Sequence, residues 1–249
     1  MGASPERGAS PGEVPVAGTR KLKPRDAATL VVIDRSGGAP RILMGRRRPS
    51  QVFLPDKFVF PGGRVERTDR SIASADELDP VCVARLLHDM KGTPSPARAR
   101  ALALAAIRET FEEAGLAIGS LRTDTSSDHG ASTSLAATWT QFLATGCQPR
   151  LSELTFFARA ITPPSRPRRY DTRFFMADAA AIVCRSAACD GELGELGWFT
   201  IDEMRALDLP NITRAVVEDL AQRLANTNPD MPVPYYRFRH GSFRRDLIG

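Results

Sequence analysis

The segment 105–116, "AAIRETFEEAGL", combines the periodicity of a buried helix with three glutamates. At 100° per residue, Glu112 and Glu113 lie about 60° and 40° from Glu109 on either side of it, so all three share one narrow face. Apolar residues occupy the opposite side. Like charges at these spacings destabilise a helix by roughly 0.2–0.5 kcal/mol per pair. Such a helix must therefore expose its acidic face to solvent or place it next to positive charge.

Two explanations account for this acidic face. A solvated surface is the ordinary one. Alternatively, carboxylates one turn apart can bind a hard cation such as Mg²⁺ from one side, leaving its other positions for water and phosphate oxygens. Arg108, next to the glutamates, can orient one of them or contact a phosphate through its planar guanidinium. The helix alone leaves both explanations open.

A second segment, "FPGGRVERTD" (60–69), favours the cation. It reads as a strand end running into Gly62 and Gly63, which let the backbone approach a ligand closely. Together the two segments resemble the Nudix hydrolases, whose signature is G-x5-E-x7-R-E-U-x-E-E-x-G-U, with U aliphatic. Gly63 matches the first glycine. The second half of the signature is matched by Arg108, Glu109, Glu112, Glu113, Gly115 and Leu116.

The chain departs from this signature at three points. Asp69 stands where the first glutamate is expected, and Thr110 replaces an aliphatic residue. Residues 70–107, 38 in number, separate Asp69 from Arg108 where the signature has seven. A split box of this kind is similar to that of coenzyme A diphosphatases, which carry a long insertion there. We expect residues 70–95 to form this helical insertion, with a helix over 80–91, and to act as a lid or an acyl-chain groove.

The resemblance implies an α+β fold, an α/β/α sandwich with a mixed β-sheet between helices. Residues 1–26, "MGASPERGASPGEVPVAGTRKLKPRD", are rich in Gly, Pro and Ser, and we expect a disordered leader. The hydrolase domain is predicted over 27–226. Residues 227–249 show no clear period and are predicted to be a basic tail.

The resemblance also assigns roles to residues. Glu109, Glu113 and Arg108 are expected to be catalytic, and Mg²⁺ or Mn²⁺ is expected on Glu109, Glu112, Glu113 and Asp69. The diphosphate bond of the substrate would be hydrolysed by water, with Glu192 and Glu195 as candidate distant bases. Substrate binding is expected from Arg46, Arg47, Gly62, Gly63, Arg168 and Arg169, where the arginines lie in "MGRRRPS" and "PPSRPRRYD".

The expected substrate is coenzyme A or acyl-coenzyme A, giving 4′-phosphopantetheine or its acyl form and adenosine 3′,5′-bisphosphate. Three alternatives stay open. The substrate can be ADP-ribose or a nicotinamide dinucleotide, or the chain can be a non-catalytic nucleotide-binding regulator. Nucleic-acid binding through the basic termini is the third and the least favoured, and a homodimer is left open.

Composition limits the setting of this activity. The net charge of +5 and the pI near 9.3 favour acidic partners such as phosphorylated small molecules. The four cysteines have no zinc-site or disulfide spacing, so we expect idle thiols in a reducing compartment. With neither a signal peptide nor an apolar run that could span a membrane, the chain is predicted to be cytoplasmic.

Overall fold

The strand Arg25–Asp34 (β1) has buried side chains on both faces. Leu30 and Val32 project into one hydrophobic core, and Val31 and Ile33 project into a second core on the other side. Burial on both faces produces a continuous apolar run instead of an alternation, which is what "TLVVI" shows. Layers of structure must therefore cover this strand from both sides.

The computed structural model describes residues 22–51, 54–122, 137–186, 192–226, 228 and 230–249. Within these residues the further strands are β2 (Arg41–Arg47), β3 (Phe58–Val59), β4 (Gly62–Arg64), β5 (Leu116–Leu121), β6 (Cys147–Pro149), β7 (Thr155–Ile161), β8 (Tyr170–Asp178), β9 (Ile182–Arg185), β10 (Leu193–Phe199), β11 (Val233–Arg239) and β12 (Ser242–Ile248). The helices are α1 (Pro80–Leu87), α2 (Pro96–Ala114), α3 (Ala137–Ala144), α4 (Ile201–Ala206) and α5 (Asn211–Ala225).

The main sheet is mixed and has the order β10-β2-β1-β8-β7-β11-β12, with β3 beside β2 and β4 beside β1. β1 runs parallel to β8 and antiparallel to β2 and β4. Helices α1, α2 and α3 pack on one face, and α4 and α5 pack on the other. A smaller sheet has the order β6-β5-β9. The predicted α/β/α sandwich with a mixed sheet is confirmed.

Helix α2 is bounded by the residues that its sequence predicts. The Ser95 side chain accepts from the N–H of Arg98, and Pro96 occupies the first helical position. At the other end Gly115 adopts φ 68°, and its N–H donates to the carbonyl of Phe111. These caps fix both ends of α2 and therefore the positions of its glutamates along the helix.

Helix α1 is shorter than predicted. Asp79 caps its start, but the helix ends at Leu87 rather than at residue 91. The guanidinium of buried Arg159 donates to the carbonyls of His88 and Asp89, and Asp89 takes a positive φ of 46°. A tertiary contact thus ends this helix before the end that its sequence predicts. Among the described residues, no helix is both long enough and apolar enough to cross a membrane.

The predicted domain limits at residues 27 and 226 are wrong. β1 begins at Arg25, and the predicted tail contributes two strands to the main sheet, because β11 pairs with β7 and with β12. The alternation of polar and apolar residues that would predict these strands is obscured, because arginines and aromatic residues occur on both faces of the hairpin. Its turn, His240-Gly241, has positive φ at both positions, as a two-residue hairpin turn of type I′ requires.

Ending the chain after Pro232 should remove most of its stability. Val233, Tyr235 and Ile248 are each at most 1% exposed, and all three would be lost. Burying one such side chain contributes about 1.5–3 kcal/mol, whereas a whole domain is stable by about 5–15 kcal/mol. We expect thermal unfolding, followed by circular dichroism, to show a much lower midpoint or no cooperative transition.

Arg239→Ala is the matched control, because Arg239 is an exposed residue at the end of the same hairpin. It should unfold at the midpoint of the parent chain. A truncated chain with an unchanged midpoint would show that the hairpin is dispensable for the domain.

A candidate active site of paired glutamates beside a glycine strand

The glutamates of α2 face β4, the short strand that contains both glycines. The N–H of Gly62 donates to Oε2 of Glu113 at 2.9 Å. A Cβ placed on Gly63 would lie only 2.5 Å from Oε1 of Glu109. The two halves of the split motif, 51 residues apart at their hydrogen bond, are therefore in direct contact.

Gly62 is required for a different contact. A Cβ on Gly62 would lie 2.4 Å from Oγ1 of Thr29 and 2.6 Å from the carbonyl oxygen of Ala28. Real Cβ atoms do not approach so closely, since packed interiors leave no such room. Gly62 thus lets β4 pair with β1, while Gly63 admits the side chain of Glu109.

Asp69 is fully buried and does not bind a cation in this arrangement. Its two oxygens accept from Nε of Arg108 at 2.9 Å, from Nη2 of Arg108 at 3.3 Å, from Nε1 of Trp139 at 2.8 Å and from the N–H of Glu66 at 2.7 Å. A carboxylate offers about four acceptor positions, and these four donors fill them. The structure therefore does not support the expected role of Asp69 as a metal ligand.

Arg108 links Asp69 to the glutamates. Its Nη2 lies 2.9 Å from Oε1 of Glu109 and its Nη1 lies 3.3 Å from Oε2 of Glu112. Burial opposes the charged guanidinium, but the charges of Glu109 and Asp69 outweigh it and raise the pKa of Arg108. These contacts let Arg108 position the glutamates, and its expected catalytic role stays a prediction.

Glu109 and Glu113 lie in surroundings that oppose their ionisation, and Arg108 offsets this only in part. Burial, opposed by Arg108 and assisted by Glu112, raises the pKa of Glu109 from 4.5 to about 7. Burial and the neighbouring Glu109 raise the pKa of Glu113 well above its ordinary value. Two buried carboxylates in this state form a favourable place for added positive charge.

The donors present fit part of the coordination shell of a divalent cation. In the part of the chain that the structure describes, no three His, Cys, Asp or Glu side chains converge as a complete metal cage. Glu112 is turned aside, since its Oε2 accepts from Oγ1 of Thr138 at 3.0 Å and from Arg108. Hard carboxylate oxygens of Glu109 and Glu113 remain, and Mg²⁺ commonly binds one or two carboxylates plus waters and substrate phosphates.

An open cleft of about 690 Å³ lies against Glu109. Gly62, Gly63, Arg108, Glu109 and Glu112 line one end of it. No residue of 70–95 lines the cleft. Cys82 and Leu86 of α1 face the hydrophobic core instead, so the expected lid or acyl groove is wrong for this segment.

The two arginines that end β2 lie on different sides of it, since strand side chains alternate. Arg47 lines the cleft and contacts Oε2 of Glu192 through Nη2 at 3.0 Å. Arg46 lies outside the cleft, near Asp56 and Glu195. The structure therefore brings Arg47 and Glu192 to the site, and it places Arg46 and Glu195 away from it.

The far end of the cleft is basic. Arg168 and Arg169 both line it, as do Lys23 and Arg25, which were expected to lie in a disordered leader. Arg169 holds these segments together, because its Nη1 donates to the carbonyl of Leu22 at 2.6 Å. In the sequence, the basic run "RKLKPR" directly before the first apolar strand could have indicated that Lys23 and Arg25 belong to the site.

Comparison with known proteins supports the resemblance. No family model matches the chain. A curated Caenorhabditis elegans protein named "Putative nudix hydrolase 7" is 29% identical over 184 residues, which cover 70% of this chain and 50% of that protein. The chain thus spans half the length of this curated relative. The crystal structure of a NUDIX hydrolase from Alicyclobacillus acidocaldarius has 27% identity and a TM-score of 0.58, covering 80% of this chain and 91% of that one.

These similarities establish the Nudix fold for this chain and support its placement in the Nudix hydrolase superfamily.

Adding Mg²⁺ or Mn²⁺ should raise the thermal midpoint, and the rise should grow from about pH 5.5 to about pH 8. The pKa of Glu109 is about 7 in the folded chain against an ordinary 4.5, so the folded chain holds a proton that the unfolded chain has released. Without a cation, stability therefore falls as the pH rises between these values. A cation replaces the proton, and its stabilisation is complete only above the folded pKa.

Glu109→Gln should make this cation-induced rise smaller. Glu195→Gln, which lies outside the cleft, should preserve it. Differential scanning calorimetry across the pH series gives the midpoints. An equal rise at every pH in the parent chain would contradict cation binding at Glu109 and Glu113.

Proposed function

We propose that this chain is a metal-dependent Nudix hydrolase that cleaves the diphosphate bond of a nucleoside diphosphate derivative. One observation carries the proposal: Glu113 is buried against Gly62, and Glu109 lies beside Gly63 at one end of a cleft whose other end is basic. The acidic end suits a divalent cation, and the basic end suits a phosphorylated substrate.

Hydrolysis of a diphosphate requires water to reach a phosphorus atom surrounded by negative oxygens. Glu109 and Glu113 would hold Mg²⁺ or Mn²⁺, with Glu112 next to them. A divalent cation bound there supplies positive charge that offsets the phosphate oxygens. Arg108 keeps Glu109 in place, and Asp69 keeps Arg108 in place.

Glu192 is our candidate for the group that accepts the proton of the attacking water. It lines the cleft with Glu109 and is half-exposed. After burial and Glu109, its charge further raises the pKa of Glu113, and Glu192 is therefore close to that carboxylate. Arg47 orients it at 3.0 Å.

We propose coenzyme A or an acyl-coenzyme A as the substrate, with 4′-phosphopantetheine (or its acyl form) and adenosine 3′,5′-bisphosphate as products. Gly63 is paired with Ala28 of β1, and Arg25 lies three residues earlier on the same strand. At about 3.3 Å per residue, the basic end is roughly 10 Å from the glutamates. That separation suits a phosphate distinct from the diphosphate, such as the 3′-phosphate of coenzyme A.

ADP-ribose and nicotinamide dinucleotides that lack this third phosphate would leave the basic end unfilled. They are the second substrate class to be tested. Nucleic-acid binding has less support, because two of the four arginines of the C-terminal hairpin are neutralised within the chain: Arg237 pairs with Asp89 and Asp246, and Arg245 pairs with Asp219.

A panel of diphosphates with Mg²⁺ or Mn²⁺ tests the reaction. Coenzyme A, acyl-coenzyme A, ADP-ribose and nicotinamide dinucleotides are incubated with the chain, and products are separated by chromatography. Glu113→Gln should lower kcat at least about 100-fold on the best substrate, since charge held at such a site contributes several kcal/mol. Glu195→Gln should keep full activity.

Full turnover by Glu113→Gln would refute the assignment of this carboxylate. Absence of hydrolysis across the panel, with binding of a nucleotide retained, would favour the non-catalytic regulator instead.

Arg168→Ala tests the substrate separately. It should raise KM for coenzyme A about 5- to 20-fold, equivalent to ~1–2 kcal/mol, because a charged hydrogen bond to the 3′-phosphate is lost. The matched control is Arg166→Ala, an exposed arginine of the same loop that does not line the cleft. KM for the analogue without the 3′-phosphate should not change. Equal effects on both compounds would place the 3′-phosphate elsewhere.

A further inference from the structure

The outermost strand of the main sheet, β12, has a regular, unpaired edge. It pairs with β11 in continuous register over all of 242–248, without a bulge, proline or glycine. Among the residues that the structure describes, no strand pairs with its other side. Proteins usually protect such an edge, because its backbone N–H and C=O groups can bind another strand.

The opposite edge of the sheet shows that protection. β10 contains Gly194 and Gly197, and its pairing with β2 shifts register between Leu193 and Glu195. Bulges and glycines of this kind disfavour pairing with a further strand. β12 has neither device, so the two edges differ in what they can bind.

The sequence of β12, "SFRRDLI", is complementary to itself when read antiparallel about Arg245. In that register Arg244 lies opposite Asp246 of a second copy, and Phe243 lies opposite Leu247 of the second copy. Each pair occurs twice by symmetry. Opposite charges and apolar pairs directly across two strands are stabilising.

The side chains that would meet are at least partly exposed, although Phe243 also stacks on Tyr236 of its own chain, with ring centres 5.9 Å apart. Phe243 and Leu247 are 51% and 55% exposed, and they share one face of the strand. Arg244 contacts the Ser242 hydroxyl and, among the described residues, pairs with no carboxylate. Asp246 accepts from Arg237 on one oxygen and remains partly exposed.

Arg245 would lie opposite its own copy, which by itself is unfavourable. Its charge is offset within each chain, since Nη2 donates to Oδ1 of Asp219 at 2.8 Å. The guanidinium also lies 6.0 Å from the ring centre of Tyr236. These contacts hold the two guanidinium groups against their own helices α5.

We propose that β12 is a dimerisation edge, at which two copies of this chain pair antiparallel about Arg245 and join their sheets into one. The interface is narrow, so we expect it at the small end of specific interfaces, with a dissociation constant of micromolar order. The proposal does not depend on the proposed function, because the glutamates lie on α2 and no residue of β12 lines the cleft.

Sedimentation velocity of the full chain at about 1–100 μM tests the proposal. The parent chain should shift from monomer to dimer in this range. Arg244→Asp should weaken the dimer at least tenfold, and Asp246→Arg should weaken it similarly, because each places like charges opposite each other. An equimolar mixture of the two variants should restore dimers, since every pair is then complementary.

Arg239→Asp is the matched control, with the same charge change in the hairpin but outside the paired edge; it should dimerise like the parent chain. Because Asp246→Arg removes one of the two carboxylates that pair with Arg237, Phe243→Lys and Leu247→Glu serve as a second mixing pair. A parent chain that stays monomeric throughout would overturn the proposal. Folded variants whose mixture shows no recovery would equally overturn it.

Discussion

The buried contact between Asp69 and Arg108 holds the site together. Asp69 lies in the turn after β4, Arg108 lies in α2, and Trp139 lies in α3, so one carboxylate joins three separate elements. Removing one partner of such a buried pair leaves an uncompensated charge, which is strongly destabilising. The same guanidinium reaches Glu109 and Glu112, so the glutamates depend on this contact for both position and charge balance.

The cleft has opposite charges at its two ends, and β1 sets their separation. Ala28 and Thr29 pair with the glycines beside the glutamates, whereas Arg25 stands at the basic end of the same strand. Because β1 is buried on both faces and runs parallel to β8 throughout, the distance between the ends is fixed by rigid sheet structure. A substrate with phosphates at both positions would meet a preformed site.

Local features of the sequence predicted the acidic face of α2, its caps and the two glycines, because helix periodicity and glycine geometry are local properties. The sequence did not reveal the role of Asp69, since its partners Arg108 and Trp139 are 39 and 70 residues away. Nor could it separate Arg47 from Arg46, because the face that each occupies depends on how β2 is paired. The C-terminal hairpin was missed because its arginines and aromatics hide the alternation.

The indole of Trp139 makes the state of the site visible without any substrate. It is fully buried, and its N–H is held by the same carboxylate oxygen that binds Arg108. The chain has only one other tryptophan, Trp198 in β10. Intrinsic fluorescence of this protein therefore contains a built-in reporter, since any movement of Asp69 that loosens Arg108 also changes the surroundings of an indole.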